Sequence, residues 1–230
     1  MSKNAHIVAV PAELFEGRKN GLIDLELHSS DLVLIERQAS QDNFNYRKVI
    51  PITVFISHSM GGTNDIDVWG FSRGDDHAHE NLKNAITVSV GGHWEAKDLF
   101  YVDDGSIDIH QSMSKATRRE VDEEVIIKDT TTGNIITGSE VSYLQSPTVI
   151  AADDTSTDRQ YAAVISFAWL PNTCTVEGSL DENELHNARR YTRDELRSPE
   201  VNAETWTLKI CDILDYIQAS APTCRNPKTK

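Results

Sequence analysis

The sequence predicts an α/β (α+β) fold, a mixed sheet with helices packed on it, and three observations predict it. The N-terminal third carries several short apolar or alternating runs bounded by turn residues. A helical period appears mid-chain, where Met113, Thr117, Val121 and Val125 recur every fourth residue. A second closes the chain, with Trp206, Ile210, Ile213, Leu214 and Ile217 at helical spacing.

In chain order, HIVAVPAEL, DLVLIER and VIPITVFIS read as strands, rich in Val, Ile and Phe. AITVSV, residues 85–90, reads as one further strand running straight into Gly91 and Gly92. Residues 99–111, LFYVDDGSIDIHQ, have no helical period and read as a loop, with the helix beginning at Ser112. EVSYLQSPTVIA and YAAVISFAWL read as strands separated by Asp/Thr-rich loops. Thr192 is placed to cap the short helix RDELR, and ETWTLKICDILDYIQAS follows as the terminal helix. The tail, APTCRNPKTK, has two prolines and no apolar period, so it reads as frayed. There is no internal repeat and no low-complexity linker. The expectation is one domain over residues 1–220 and a flexible tail over 221–230.

Composition narrows the function. The 230 residues are 39% hydrophobic and 25% charged, ordinary for a globular protein. No run approaches the roughly 20 apolar residues of a membrane-spanning helix, and Pro11 and nearby charges interrupt the N-terminus; the chain reads as cytoplasmic and mature. Cys174, Cys211 and Cys224 are widely spaced with no C-x-x-C pair, as expected of reduced thiols. A net charge of −14 would repel a nucleic-acid backbone, so no polymeric nucleic acid is expected as partner. A small anion remains compatible, provided metal ions or local arginines neutralise it.

The densest chemistry lies in RREVDEEV, residues 118–125. On a helix Glu120, Glu123 and Glu124 are neighbours, being i, i+3 and i+4, and Val121 and Val125 place them at the border of core and solvent. Like charges so spaced cost a few tenths of a kcal/mol each, so something must compensate. A hard divalent cation would do so, because magnesium prefers carboxylate oxygens supplemented by water and substrate phosphates. A merely solvated charged face is the plainer alternative.

Residues 119–124, Arg-Glu-Val-Asp-Glu-Glu, resemble the R-E-U-x-E-E core of the Nudix box, G-x5-E-x7-R-E-U-x-E-E-x-G-U, in which U is a bulky aliphatic residue. Ile127 matches the last aliphatic position, and Ile126 stands where the pattern has glycine. The first half fits in two registers. One takes Gly105 and puts Gln111 at the first glutamate position. The other, preferred here, takes Gly92, puts Asp98 there, and adds a 13-residue insertion, Leu99 to Gln111. A strand ending in Gly-Gly-His, then an aspartate and a gap before R-E-x-x-E-E, is similar to a branch of predicted Nudix phosphoesterases. RKVIPITVFI, GFSRGDDHAHENL, ADDTSTDRQYAAVISF and DELRSPEVNAETWT extend the likeness over about Ile7 to Leu214. Tyr161 stands where that branch carries histidine.

The resemblance implies a Nudix-type α/β/α sandwich with a mixed β-sheet. It implies a metal-dependent hydrolase cleaving the phosphoanhydride bond of a nucleoside diphosphate linked to another moiety. Glu120, Glu123 and Glu124 would hold Mg²⁺ or Mn²⁺, Arg119 would orient them, and Gly91 and Gly92 would shape the loop. Glu124 is the preferred general base, with Asp153 or Asp154 as the other candidates. Dimers are common in the superfamily, so a homodimer is compatible. The alternative is a Nudix-fold nucleotide sensor that does not cleave.

His93 follows the glycines and is placed to meet a phosphate or a metal-bound water, or only the backbone. Arg73 and Arg159 are candidates for the anionic substrate, since guanidinium reads phosphate bidentately. Trp94, Tyr101 and Tyr161 would stack on a base or pack in the core, and Trp206 should pack the terminal helix. His77 and His79 read as solvent-facing. Ser57-His58-Ser59 lacks a nucleophile elbow and is set aside. The insertion is expected to cover the metal site and help select the substrate.

Overall fold

The computed structural model describes residues 5–18, 21–23, 25–40, 43–59, 65–74, 82–151, 155, 158–179 and 185–220. The first four strands are β1 (His6–Pro11), β2 (Gly21–Ile23), β3 (Val33–Glu36) and β4 (Tyr46–His58). Then come β5 (Ile66–Arg73), β6 (Ile86–Thr87), β7 (Val90–Gly91), helix α1 (Ile109–Glu124), β8 (Val125–Asp129) and β9 (Ile135–Ile136). The chain continues through β10 (Tyr143–Ala151), β11 (Tyr161–Trp169), β12 (Cys174–Gly178) and β13 (Leu185–Tyr191) to helices α2 (Arg193–Arg197) and α3 (Thr205–Ser220).

The main sheet runs β13-β5-β4-β11-β10-β2, with β1 and β7 also on β4, β3 on β1 and β6 on β5. It is mixed because β4 and β11 are parallel while their other neighbours are antiparallel. The apolar run VIPITVFIS is nearly continuous because β4 is central and covered on both faces. Ile52, Val54 and Ile56 pack with Ile165, Phe167, Ile210 and Leu214 beneath α3. Val49 and Phe55 face the side of α1, Val49 beside Met113 and Ala116, Phe55 beside Val121 and Val125. Helices therefore lie on both faces, and the fold is an α/β/α sandwich. A small antiparallel sheet, β12-β8-β9, continues from the end of α1.

Three local expectations change. AITVSV is two short strands. β6 pairs with β5 and β7 with β4, and the chain breaks at Val88, whose amide donates to Thr207 Oγ1 of α3 at 3.2 Å. Helix α1 begins at Ile109, ahead of Ser112, because Asp108 caps it by accepting from the Gln111 amide at 2.9 Å. Its other end has no left-handed residue: Val125 is already extended, at φ −137° and ψ 156°, and starts β8. Thr192 caps α2 with a reciprocal Glu195 contact, as its sequence indicates. Cys174 and Cys211 are free and buried; residues 221–230, with Cys224, lie outside the described residues. No helix among the described residues is long and apolar enough to cross a membrane.

Candidate functional site

The site forms where the last two turns of α1 meet the segment Gly91 to Asp98. Gly91 pairs with Ile52 of β4, and a Cβ there would lie 2.1 Å from the Pro51 carbonyl oxygen, so the close approach admits only glycine. At Gly92 a Cβ would lie 2.6 Å from Glu120 Oε2. The missing side chain is the space the carboxylate fills. Glu124 takes the adjacent position, its Oε2 accepting from the Gly91 amide at 3.0 Å.

Glu120 and Glu124 lie deeper than the border position read from the sequence. They are 1% and 8% exposed and share the buried face of α1 with Met113, Ala116 and Val121. Glu123 stays at the rim, its side chain 34% exposed.

Arg119 organises the cluster. Its Nε and Nη2 grip the Asp98 carboxylate at 3.1 and 2.7 Å, while Nη1 donates to Glu120 Oε1 at 2.7 Å and Glu123 Oε2 at 3.0 Å. Nη2 also donates to the His93 carbonyl oxygen at 3.0 Å. Bidentate, charge-assisted pairing of this kind fixes geometry as well as energy. Burial alone would lower the guanidinium pKa, but the Asp98 hydrogen bond and the charges of Glu120 and Asp98 raise it above its ordinary value. Lys97 Nζ approaches Glu95 at 3.1 Å and Glu123 at 3.9 Å.

Three carboxylates thus share one guanidinium, and two of them, Asp98 and Glu120, are buried. Burial pushes Glu120 up to about 7; Arg119 opposes this, while the charges of Glu123 and Asp98 add to it. Its Oε2 is buried and has no hydrogen-bond partner. An orphaned carboxylate oxygen at such depth costs stability unless something ligates it.

The donor set is all oxygen and suits Mg²⁺ or Mn²⁺. Glu120 and Glu124 lie together on the glycine side and fit such an ion as ligands. Glu123 faces Arg119 and Lys97, so among the described residues no three His, Cys, Asp or Glu side chains converge as a finished metal site.

Arg119, Glu120, Glu123, Glu124, Gly91, Gly92 and His93 come together. Arg73 and Arg159 are not joined to them by the described contacts. Arg73 Nε pairs with Glu204 at 2.9 Å, tying the end of β5 to the start of α3. Arg159 is exposed in the 3-10 turn Asp158–Gln160 that leads into β11. Trp94 is fully buried and belongs to the core, while Tyr101 is exposed. Trp206 packs against the core beneath α3, and its indole N–H also donates to Asp158 at 2.7 Å. His77, His79, Asp153 and Asp154 lie outside the described residues.

The insertion is anchored at the far end of α1 from the carboxylates. From Leu99 it runs to the N-terminal end of α1, where Tyr101 bridges Ile107 and the Ile107 amide donates to Ser29 Oγ. Ile109 is about 16 Å from Glu120 at 1.5 Å per helical residue. The Gln111 side chain donates to the capping Asp108 carboxylate at 3.0 Å, away from Arg119. A residue that sequence reasoning missed is Lys48, whose Nζ lies 4.8 Å from the ring centroid of Tyr161, the residue that the His93 ring meets edge-on. Lys48 lay within RKVIPITVFI, where the strand pattern concealed it.

Comparison with known proteins places this geometry in a fold class. No family model matches the sequence, and no curated protein matches it. Among solved structures, the chain is similar to Tm1382, a candidate Nudix hydrolase, at TM-score 0.60 and 17% identity, covering 92% of this chain and 99% of that one. DR0079 from Deinococcus radiodurans follows at TM-score 0.47 and 15% identity, covering 85% and 98% of the two chains. A Nudix hydrolase from Alicyclobacillus acidocaldarius matches at TM-score 0.46 and 15% identity, over 73% and 90%. The likeness to Tm1382 shows the fold: an α/β/α sandwich of the Nudix type.

Proposed function

We propose that the protein is a metal-dependent Nudix hydrolase that cleaves the phosphoanhydride bond of a nucleoside diphosphate linked to another moiety, working as one domain over residues 1–220. The observation that carries the reading is the buried, unpartnered Glu120 Oε2 beside Glu124, both against Gly91 and Gly92. In this reading Glu120, Glu124 and Glu123 hold Mg²⁺ or Mn²⁺, which would neutralise the diphosphate and acidify a bound water. Arg119 positions Glu120 and Glu123 through the contacts above. Asp98 takes the first acidic position of a split box, because it anchors Arg119 where Gln111 does not. Glu124 accepts the proton of the attacking water, while the Gly91 amide fixes its carboxylate.

The test is phosphate and pyrophosphate release from dinucleotides, nucleotide sugars and nucleoside triphosphates with Mg²⁺ or Mn²⁺. Wild type is compared with Glu123→Gln plus Glu124→Gln. Metal-dependent turnover that disappears in the double variant supports the hydrolase. One observation favours a second reading, a nucleotide sensor: Arg119 already neutralises part of the cluster and draws Glu123 aside. Ligand binding without turnover that survives the double substitution would establish the sensor instead.

A further inference from the structure

Among the described residues two cations meet Glu123, and they are held very differently. Arg119 is fixed: it grips Asp98 through two nitrogens, donates to the His93 carbonyl, and its side chain is only 14% exposed. Lys97 stands in the 3-10 turn Ala96–Asp98 at the rim, with its side chain 54% exposed. Its ammonium lies 3.1 Å from Glu95 Oε2 and 3.9 Å from Glu123 Oε1, the second at the outer limit of an ion pair.

The turn beneath Lys97 is pinned while its side chain is not. The Glu95 amide donates to Asp98 Oδ2 at 3.1 Å, and Lys115 Nζ of α1 donates to the Lys97 carbonyl oxygen. The ammonium therefore swings on a flexible four-carbon stem from a fixed point beside the carboxylates. His93 adds no charge here. Burial drives its ring down to about 3, and the positive charges of Arg37, Lys48 and Arg119 push the same way, so it is neutral at neutral pH.

The two oxygens of Glu123 are divided between the two cations. Oε2 accepts from Arg119 at 3.0 Å, and Oε1 faces Lys97. For Glu123 to join Glu120 and Glu124 as a ligand, one contact must give way, and the Lys97 contact is the longer and the more exposed. Oε1 then turns to the ion while Oε2 stays on Arg119. Lys97, still beside Glu95, is left at the rim with an uncommitted charge. A phosphoanhydride presents two adjacent anionic groups, and an ammonium within reach of the metal carboxylates suits the one that the ion does not neutralise. We infer that Lys97 is an exchangeable counter-ion, holding Glu123 while no ion is bound and pairing with the substrate's diphosphate once Glu123 has turned to the ion. This rests on the hydrolase reading and adds to it a residue that binds substrate.

The experiment is calorimetric titration of the full chain with Mn²⁺ and, in saturating Mg²⁺, with methylenediphosphonate, an uncleavable diphosphate analogue. Wild type is compared with Lys97→Met and Lys97→Arg, with thermal unfolding in chelator as the check on folding. Lys97→Met should bind Mn²⁺ about two- to fivefold more tightly, because a competing charge is gone. It should bind methylenediphosphonate about fivefold or more weakly, and Lys97→Arg should restore most of that binding. The opposite signs separate this role from a structural one, which would weaken both or neither. Diphosphonate affinity unmoved in Lys97→Met overturns the inference, as does Mn²⁺ affinity that is unmoved or weakened. Should that variant keep wild-type turnover and KM, the counter-ion falls and the hydrolase stands. Opposite shifts in a protein that turns over no substrate sink the hydrolase and leave Lys97 as the counter-ion of an anion site. A wild type that binds neither probe overturns the inference outright.

Discussion

Glu120 decides how much the carboxylate cluster costs the fold, and its neighbour Gly92 decides whether it fits. A methyl group on Gly92 would enter the carboxylate at 2.6 Å from Oε2, and the carboxylate is braced by Arg119 on its other side. Gly92→Ala should therefore destabilise the protein by about 1–3 kcal/mol, read as a lower urea midpoint at unchanged slope. Glu120 also has a pH signature. Its folded pKa of about 7 exceeds the 4.5 of an ordinary glutamate, so the folded state binds the proton more tightly. The stability this lends is complete below the unfolded pKa and is lost as pH rises through the folded one. His93 works oppositely: its pKa falls from 6.5 to about 3, so its contribution is lost as pH falls across that window. The two slopes oppose each other in wild type, and the variant isolates one of them. In chelator, Glu120→Gln should gain stability relative to wild type steadily between pH 4.5 and 7, by an amount on the order of a few kcal/mol. A difference that stays flat across that range would show that burial does not hold the proton on Glu120.

Helix α1 brings these residues together, and its two ends explain why it was only partly legible. The glutamate face could be read because i, i+3 and i+4 spacing is local. The start was hidden, since Ile109, His110 and Gln111 show no apolar period and the decisive feature is the Asp108 side chain on the Gln111 amide. The end was hidden for a different reason. VIIKD continues the apolar pattern of the helix, yet it pairs with β12, Ile126 opposite Glu177, and no local signal announces a partner so distant in sequence. Break and pairing at β6 and β7 were likewise settled by a contact from α3. The same geometry accounts for Ile126 in place of the pattern's glycine, because a helix that passes directly into a strand needs no left-handed cap. Ile126→Gly, which restores the pattern, should thus destabilise the protein by about 1 kcal/mol through lost strand preference. A gain in thermal midpoint would show instead that the helix end is strained.

At the scale of the molecule, the sandwich sets one short segment between the carboxylates of α1 and the start of the parallel pair of strands. Gly91 and Gly92 face the carboxylates of α1, and the His93 ring faces Tyr161 at the start of the parallel pair. Arg119 and Asp98, far apart in the chain, meet because the loop from Leu99 travels along α1 and the helix returns. No period in the sequence reports that meeting. Three carboxylates around one guanidinium leave excess negative charge in a protein already at −14, so a divalent ion that binds only the folded state should stabilise it. Mass action sets the size: about 2.7 kcal/mol at a metal concentration of 100 Kd, seen as a higher unfolding midpoint with Mn²⁺ than with chelator. The gain should shrink strongly in Glu120→Gln and Glu124→Gln, whose carboxylates lie on the glycine side. It should persist in Arg73→Met, because Arg73 is tied to Glu204 by α3. Equal stabilisation of all three variants would place the ion elsewhere on the acidic surface and remove the metal from the reading of this cluster.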